Sequence, residues 1–298
     1  MDANLIVYLD GEYLPMGEAK VPLNDHGLLY GDGVFEGIRA YNGRIFKLEE
    51  HIRRFQDCAR ALMIELPLDA DALCKIVREC CARNDLNDGY IRLVATRGSG
   101  DLGLSPTKCP TPRVFCIAAT ISLYPPEMYE TGIPVITAQT RRNNATIVDP
   151  QIKSLNYLNN ILAKIEANFA GAQEAIMLAQ NGVVAECTAD NIFIVRDGII
   201  YTPPVYVGAL DGITRRTVME LAKADGLEII EKEFTLFNVY NADECFITGT
   251  GAECIPVTKA DNRQIGNGKT GAITKRILAM YQKFVRENGT PIKGEMYA

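Results

Sequence analysis

The chain has 298 residues, 47% of them hydrophobic and 23% charged, with no tryptophan, which suits two globular domains, each with its own core. A net charge of −6 argues against a nucleic-acid binder, which carries a basic face. No apolar run approaches the ~20 residues of a membrane span, and Met1-Asp-Ala-Asn4 lacks the basic start and apolar stretch of a signal peptide, so a cytoplasmic protein with neither membrane nor nucleic-acid partners is expected.

The first elements read as two hairpins. Leu5 to Leu9 and Glu12 to Leu14 flank Asp10-Gly11, and Val34 to Tyr41 and Arg44 to Phe46 flank Asn42-Gly43. Asp-Gly and Asn-Gly supply the positive φ angles of tight hairpin turns. Leu48, Ile52, Phe55, Ala59 and Leu62 recur at three- and four-residue steps and predict a helix over 48–63. A second helix is expected over 69–84, then strands at 90–96 and 114–119. This half has α+β character.

Residues 122–132, with Pro125-Pro126 and Gly132, break both periods and are the expected connection between a small N-terminal domain (1–121) and a larger C-terminal one (133–298). The second half opens with a strand at 135–139 and a helix at 156–170. Short strands at 174–178, 183–187, 191–196 and 199–202, punctuated by Asn181-Gly182 and Asp197-Gly198, read as an antiparallel meander. A helix at 213–224, strands near 228, 245 and 255, and a helix at 271–288 complete the reading.

Nine cysteines and two histidines give no Cys-x-x-Cys pair and no zinc pattern. Buried, reduced thiols are expected, and no metal.

Four features carry chemistry. Lys153 sits in Asp149-Pro-Gln-Ile-Lys-Ser-Leu-Asn-Tyr157, between a loop and a helix start, with Ile152, Leu155 and Tyr157 as apolar neighbours. A neutral lysine amine condenses with a carbonyl and afterwards carries a proton. Glu186 lies on an expected strand beside Val183, Val184 and Ala185, where a carboxylate needs a partner such as a protonated ring nitrogen. Thr214 follows Gly212 at a helix start, where backbone N–H groups face an anion. Thr250 and Gly251, in Thr248-Gly-Thr-Gly-Ala-Glu253, form a second turn able to cradle one. A lysine, a carboxylate and two anion-binding turns are what pyridoxal 5'-phosphate requires.

The ordered set resembles the fold type IV pyridoxal-phosphate enzymes, over nearly the whole chain. The resemblance implies a two-domain α+β architecture like that of D-amino-acid aminotransferase. It makes Lys153 the catalytic residue. It also implies cofactor contacts from Arg54 (in the pattern His51-x-x-Arg), Tyr157, Glu186, Leu210, Ile213, Thr214, Thr250 and Gly251. Phe35-Glu-Gly-Ile-Arg39 and Gly89-Tyr-Ile-Arg-Leu93 look like the branched-chain aminotransferases. Tyr30, Phe35, Gly37, Arg39, Tyr90 and Arg92 are the implied substrate residues, together with Thr250 and Gly251. Tyr90 would meet the α-carboxylate, and Arg92 the side-chain carboxylate of glutamate or 2-oxoglutarate. A homodimer or larger homo-oligomer is implied as well.

Two positions depart from the family pattern. Cys187 stands where glycine is common, and Gly251 where branched-chain enzymes usually have alanine. Gly251 removes a methyl group, so a looser pocket is expected. The alternatives on the same scaffold are a D-amino-acid or (R)-amine transaminase and an aminodeoxychorismate-type lyase. A non-catalytic binding protein is a further alternative, against which the Lys153 and Glu186 pair argues.

Overall fold

The computed structural model describes residues 2–120 and 124–294. The chain divides into two compact units. One comprises Met1–Ile121, Ile152–Asn156 and Val285–Ala298, the other Ser122–Gln151 and Tyr157–Phe284.

The first unit opens with β1 (Ile6–Leu9) and β2 (Glu12–Pro15), paired Leu9 to Glu12. Asp10 and Gly11 between them have φ of 48° and 105°, so the hairpin is the one the Asp-Gly turn predicts. Next comes a short helix, α1 (His26–Tyr30), that the hydrophobic pattern does not signal; the Asp25 side chain caps it by accepting from the Gly27 N–H. Strands β3 (Gly33–Tyr41) and β4 (Arg44–Ile45) follow, then α2 (Leu48–Ala61) and α3 (Ala70–Arg83). The Asp69 carboxylate caps α3 by accepting from the Ala72 N–H, a contact worth ~1 kcal/mol. Strands β5 (Gly89–Thr96) and β6 (Arg113–Ala119) complete this part.

In the second unit the expected connection is partly helical. Residues 126–131 form α4 (Pro126–Thr131), with a proline at its first turn where no N–H partner is needed; Ser122 and Leu123 lie outside the described residues. The elements after it are β7 (Ile133–Thr137), α5 (Leu158–Phe169), β8 (Glu174–Leu178), β9 (Val184–Cys187), β10 (Asn191–Arg196), β11 (Ile199–Thr202), α6 (Ile213–Ala224), β12 (Ile229–Glu231), α7 (Leu236–Tyr240), β13 (Glu244–Gly249), β14 (Glu253–Ala260), β15 (Arg263–Gln264) and α8 (Ala272–Glu287). Strand β16 (Thr290–Pro291) returns to the first unit.

Among the described residues the first unit holds a seven-stranded antiparallel sheet, ordered β16-β4-β3-β5-β6-β1-β2. Alternation along β3 puts Val34, Glu36, Ile38 and Ala40 on one face, all fully buried. That face packs with Ile52, Phe55 and Cys58 of α2 and Leu73, Val77 and Cys80 of α3. The second sheet has nine strands, ordered β12-β11-β10-β13-β14-β7-β8-β9, with β15 on β14. It is mixed: β7 runs parallel to both β14 and β8.

The meander is corrected accordingly. β8 pairs with β9 and β10 with β11, but β10 takes β13 as its other neighbour. Short Gly turns signal hairpins, not which hairpins adjoin. All nine cysteines are buried thiols. Among the described residues no helix is long and apolar enough to cross a membrane.

Candidate active site

Lys153 belongs to an extended strip rather than to a helix start. The Phe35 N–H donates to the Lys153 carbonyl (3.0 Å), and the Leu155 N–H donates to the Gly33 carbonyl (2.8 Å). Val34 and Ser154 form an isolated β-bridge. The Lys153 N–H reaches Cys58 Sγ at 3.3 Å. Backbone contacts from β3 and the Cys58 side chain of α2 therefore fix this residue, and helix α5 begins only at Leu158.

On the face of β3 away from the α2–α3 core, the register sets Phe35 opposite Val94, Gly37 opposite Arg92 and Arg39 opposite Tyr90. Lys153 Nζ lies 4.5 Å from the Phe35 ring centroid. The Arg92 guanidinium lies 4.5 Å from the same centroid, and its Nη2 donates to the Tyr90 hydroxyl at 2.9 Å. A Cβ on Gly37 would meet that hydroxyl at 2.0 Å, so glycine there lets Tyr90 lie across the strand. Arg39 stacks on Tyr41, 5.0 Å from its centroid. The structure thus brings Phe35, Gly37, Tyr90, Arg92 and Lys153 together. Tyr30 sits on α1 and donates to the Leu102 carbonyl at 2.6 Å.

Arg54 lies toward the other face of β3. Its Nε and Nη2 donate to the two oxygens of Glu36 at 2.7 and 2.8 Å. His51 Nδ1 stands 2.7 Å from Glu36 Oε2. Burial alone would raise the Glu36 carboxyl, but the Arg54 and His51 contacts outweigh it and hold it far below the usual carboxylate range. Burial lowers the His51 imidazole, Glu36 works against that, and the Arg54 and Lys153 charges lower it further. His51 is thus a neutral donor and Glu36 an anion. Burial pushes the Cys58 thiol up, so it acts as packing and as a weak acceptor. The sequence reading missed both Glu36 and His51 as partners of Arg54; the one signal available was that Glu36 falls in phase with Val34, Ile38 and Ala40.

In the second unit Glu186 is buried on β9. Its Oε1 pairs with Arg142 Nη2 at 2.7 Å. Its Oε2 accepts from the Leu210 N–H (2.9 Å) and from Asn191 Nδ2 (3.3 Å). Asn191 also donates to the Leu210 carbonyl at 2.9 Å and pairs with Thr248 across β10 and β13. A Cβ on Gly212 would meet Asn191 Oδ1 at 2.1 Å, so glycine lets the start of α6 close on this asparagine. Asn191 therefore gathers Glu186, Leu210, Gly212 and Thr248. No periodic signal marks it in the sequence, and none marks Arg142.

Gly212 caps α6 without a side-chain hydrogen bond, and Ile213 and Thr214 behind it are buried. N–H groups at such an end suit an anion. Thr248 Oγ1, just before the Gly249-Thr250-Gly251 turn, is buried with no hydrogen-bond partner among the described residues. A carboxylate for a ring N–H, a helix N-terminus for a phosphate and an orphaned hydroxyl fit a phosphorylated pyridine. Tyr157 directly precedes α5. Cys187 packs in the core with Ile176, Ile192 and Ile247, so its departure from the family pattern is a packing change.

The family model described as amino-transferase class IV matches residues 33–260. A Methanocaldococcus jannaschii relative is 50% identical, over 97% of this chain and 99% of its own, and a branched-chain-amino-acid aminotransferase of Pseudomonas aeruginosa is 36% identical, over 94% of this chain and 92% of its own. A D-alanine aminotransferase of Staphylococcus haemolyticus is 34% identical, over 95% of this chain and 99% of its own. Among solved structures, the T.th. branched-chain amino acid aminotransferase with pyridoxamine 5'-phosphate superposes with a TM-score of 0.93 at 37% identity, covering 96% of each chain. Another structure of that enzyme is complexed with N-(5'-phosphopyridoxyl)-L-glutamate. The chain belongs to the class IV aminotransferases, the fold type IV family that uses pyridoxal 5'-phosphate, and within it to the branched-chain amino acid aminotransferase type.

Proposed function

We propose that the protein transfers the amino group of L-leucine, L-isoleucine or L-valine to 2-oxoglutarate, giving the branched 2-oxo acid and L-glutamate. The observation that carries this reading is the pair of nitrogen groups on Phe35, the Lys153 amine and the Arg92 guanidinium. Lys153 Nζ and the Arg92 guanidinium each stand 4.5 Å from its ring centroid. An aromatic wall suits an aliphatic side chain, while an arginine beside it suits the carboxylate of the second substrate.

Bound pyridoxal phosphate supplies a carbonyl for the incoming amine and an electron sink for the bond broken at Cα. The chain supplies the rest. Lys153 Nζ takes the proton from substrate Cα and would deliver it to the cofactor carbon that carried the carbonyl. Glu186 accepts from the ring N–H. Arg54, Ile213, Thr214, Thr250 and Gly251 hold phosphate, and Tyr157 and Leu210 border the ring. Tyr30, Phe35, Gly37, Arg39, Tyr90 and Arg92 bind substrate, with Thr250 and Gly251. Glu36 takes two of Arg54's five N–H donors, which fixes the fork that meets the phosphate.

The test is the absorbance of holoenzyme mixed with L-leucine in the absence of an acceptor. Conversion of the cofactor to its pyridoxamine form is expected. No change with L-leucine but conversion by D-alanine would move the assignment to a D-amino-acid transaminase. Gly251 and the 34% identity to a D-alanine aminotransferase make that the second reading.

The protein is further proposed to act in the cytoplasm as a homodimer or larger homo-oligomer. Leu158, Ile161, Leu162, Ile165 and Phe169 make an exposed apolar stripe on α5, which supports association. Sedimentation at the mass of one 298-residue chain would end the oligomer assignment.

A further inference from the structure

We propose that Arg142 is the positioning residue for Glu186, fixing the plane of that carboxylate and balancing its charge so that it meets a pyridinium N–H as an anion. The inference rests on the reading of Glu186 as the ring-nitrogen partner.

Both groups are buried, Glu186 at 4% and Arg142 at 5% relative exposure. A carboxylate taken out of water is costly without compensation. Here the compensating charge is itself pinned. Arg142 Nη2 meets Glu186 Oε1 at 2.7 Å. Nε donates to the Gly208 carbonyl at 3.1 Å, and Nη1 to Asn160 Oδ1 at 2.9 Å. Asn160 in turn donates to the Thr188 carbonyl at 2.6 Å. The Arg142 N–H donates to the Leu178 carbonyl at 2.9 Å. Every nitrogen of the guanidinium thus has a partner, on α5, on the 205–210 segment and on Glu186.

The 205–210 segment closes the arrangement. Its Gly208 carbonyl takes Arg142, while its Leu210 N–H donates to the other oxygen of Glu186 at 2.9 Å. Gly208 has φ of 114°, and a Cβ there would meet the Asn143 carbonyl at 3.1 Å and Arg142 Cγ at 3.3 Å. Glycine is what lets this backbone come up to the guanidinium. The carboxylate is therefore gripped through both oxygens by parts tied to each other. A lysine would supply the charge but not the planar fork that reaches Gly208 and Asn160 at once.

The experiment measures binding of pyridoxamine 5'-phosphate to apoenzyme, beside the rise in melting temperature given by inorganic phosphate alone. In Arg142→Met the Kd for pyridoxamine phosphate should rise on the order of tenfold, as expected for a lost charge-assisted hydrogen bond. The phosphate-induced rise should be unchanged, because Arg142 acts on the ring end. Arg142→Lys should fall between Met and wild type. In a Glu186→Gln background Arg142→Met should add much less, since both act through one carboxylate. Where the methionine variant does not fold, Arg142→Lys and Asn160→Ala, which removes the Nη1 anchor, read the same quantity and should each weaken binding several-fold. Folded Arg142 variants that bind as tightly as wild type while Glu186→Gln binds weakly would overturn the inference, as would equal losses for phosphate and for pyridoxamine phosphate. Wild-type binding by Glu186→Gln would instead bring down the ring-nitrogen reading beneath it.

Discussion

Lys153→Ala is expected to leave a folded protein whose turnover falls by at least ~10³-fold, the scale of a lost positioned acid–base group. The fold survives because the strip is held through its backbone. The Lys153 carbonyl accepts from Phe35, its N–H reaches Cys58 Sγ, and Leu155 donates to Gly33. None of these bonds uses the amine. The side chain itself packs on Phe35, with Nζ 4.5 Å from the ring centroid, a contact worth at most about 1 kcal/mol. Circular dichroism and the melting temperature should therefore stay close to wild type while the L-leucine half-reaction stops. Alanine leaves the cavity of a missing amine, so a small primary amine in the buffer should restore part of the rate. Unimpaired turnover in the variant would remove Lys153 from the chemistry.

Glu36→Ala should cost about 3–5 kcal/mol of stability, the range for removing one partner of a buried ion pair. Arg54 would be left buried with its principal counter-charge gone. Glu36→Gln should cost less, because an amide still accepts one of the two arginine hydrogen bonds. Urea midpoints for the three proteins at pH 7 give the comparison, and a Glu36→Ala midpoint equal to wild type would contradict it.

The same cluster gives the fold an acid limit. Glu36 has its folded-state pKa lowered, so its contribution is complete above the unfolded carboxylate value of ~4.3 and declines as pH falls below it. His51 is lowered too. Its contribution begins to fall below the unfolded imidazole value of ~6.5. Stability should thus decline from about pH 6.5 downward and more steeply below about pH 4.5. In Glu36→Ala the lower part of that decline should flatten.

Much of this was written in the sequence as local chemistry. Both hairpins of the first unit stand on Asp10-Gly11 and Asn42-Gly43, whose positive φ values are observed, because turn type is set by the turn residues themselves. The bounds of β8, β10, β11 and α6 were also legible, since each is a short periodic run with a glycine-containing turn on at least one side. What escaped was pairing and partner choice. Asn181-Gly182 and Asp197-Gly198 mark where hairpins turn but carry no information on which edge meets β13. The Asp25 cap escaped too, because α1, a helix of five residues, is too short to show a period. Lys153, Glu186, Thr214 and Thr250 stood out by residue type and order, while the other candidate residues came from the family resemblance. The groups that hold them, Glu36 with His51 and Arg142 with Asn160 and Asn191, come from distant parts of the chain, and only the fold brings them near.

The first unit's sheet has an order of manufacture built into it. Strand β16 covers the β4 edge by pairing Thr290 with Ile45. Thr290 Oγ1 also donates to Glu49 at 2.9 Å, and Ile292 is buried in the same core. These residues leave the ribosome after the whole of the second unit has been made. The N-terminal sheet therefore waits, with β4 as an open strand edge able to pair with another chain, through the synthesis of more than half the protein. The unit that begins to fold first is the one finished last, and the interval between those events is when a nascent chain is most exposed to mispairing with its neighbours on a polysome.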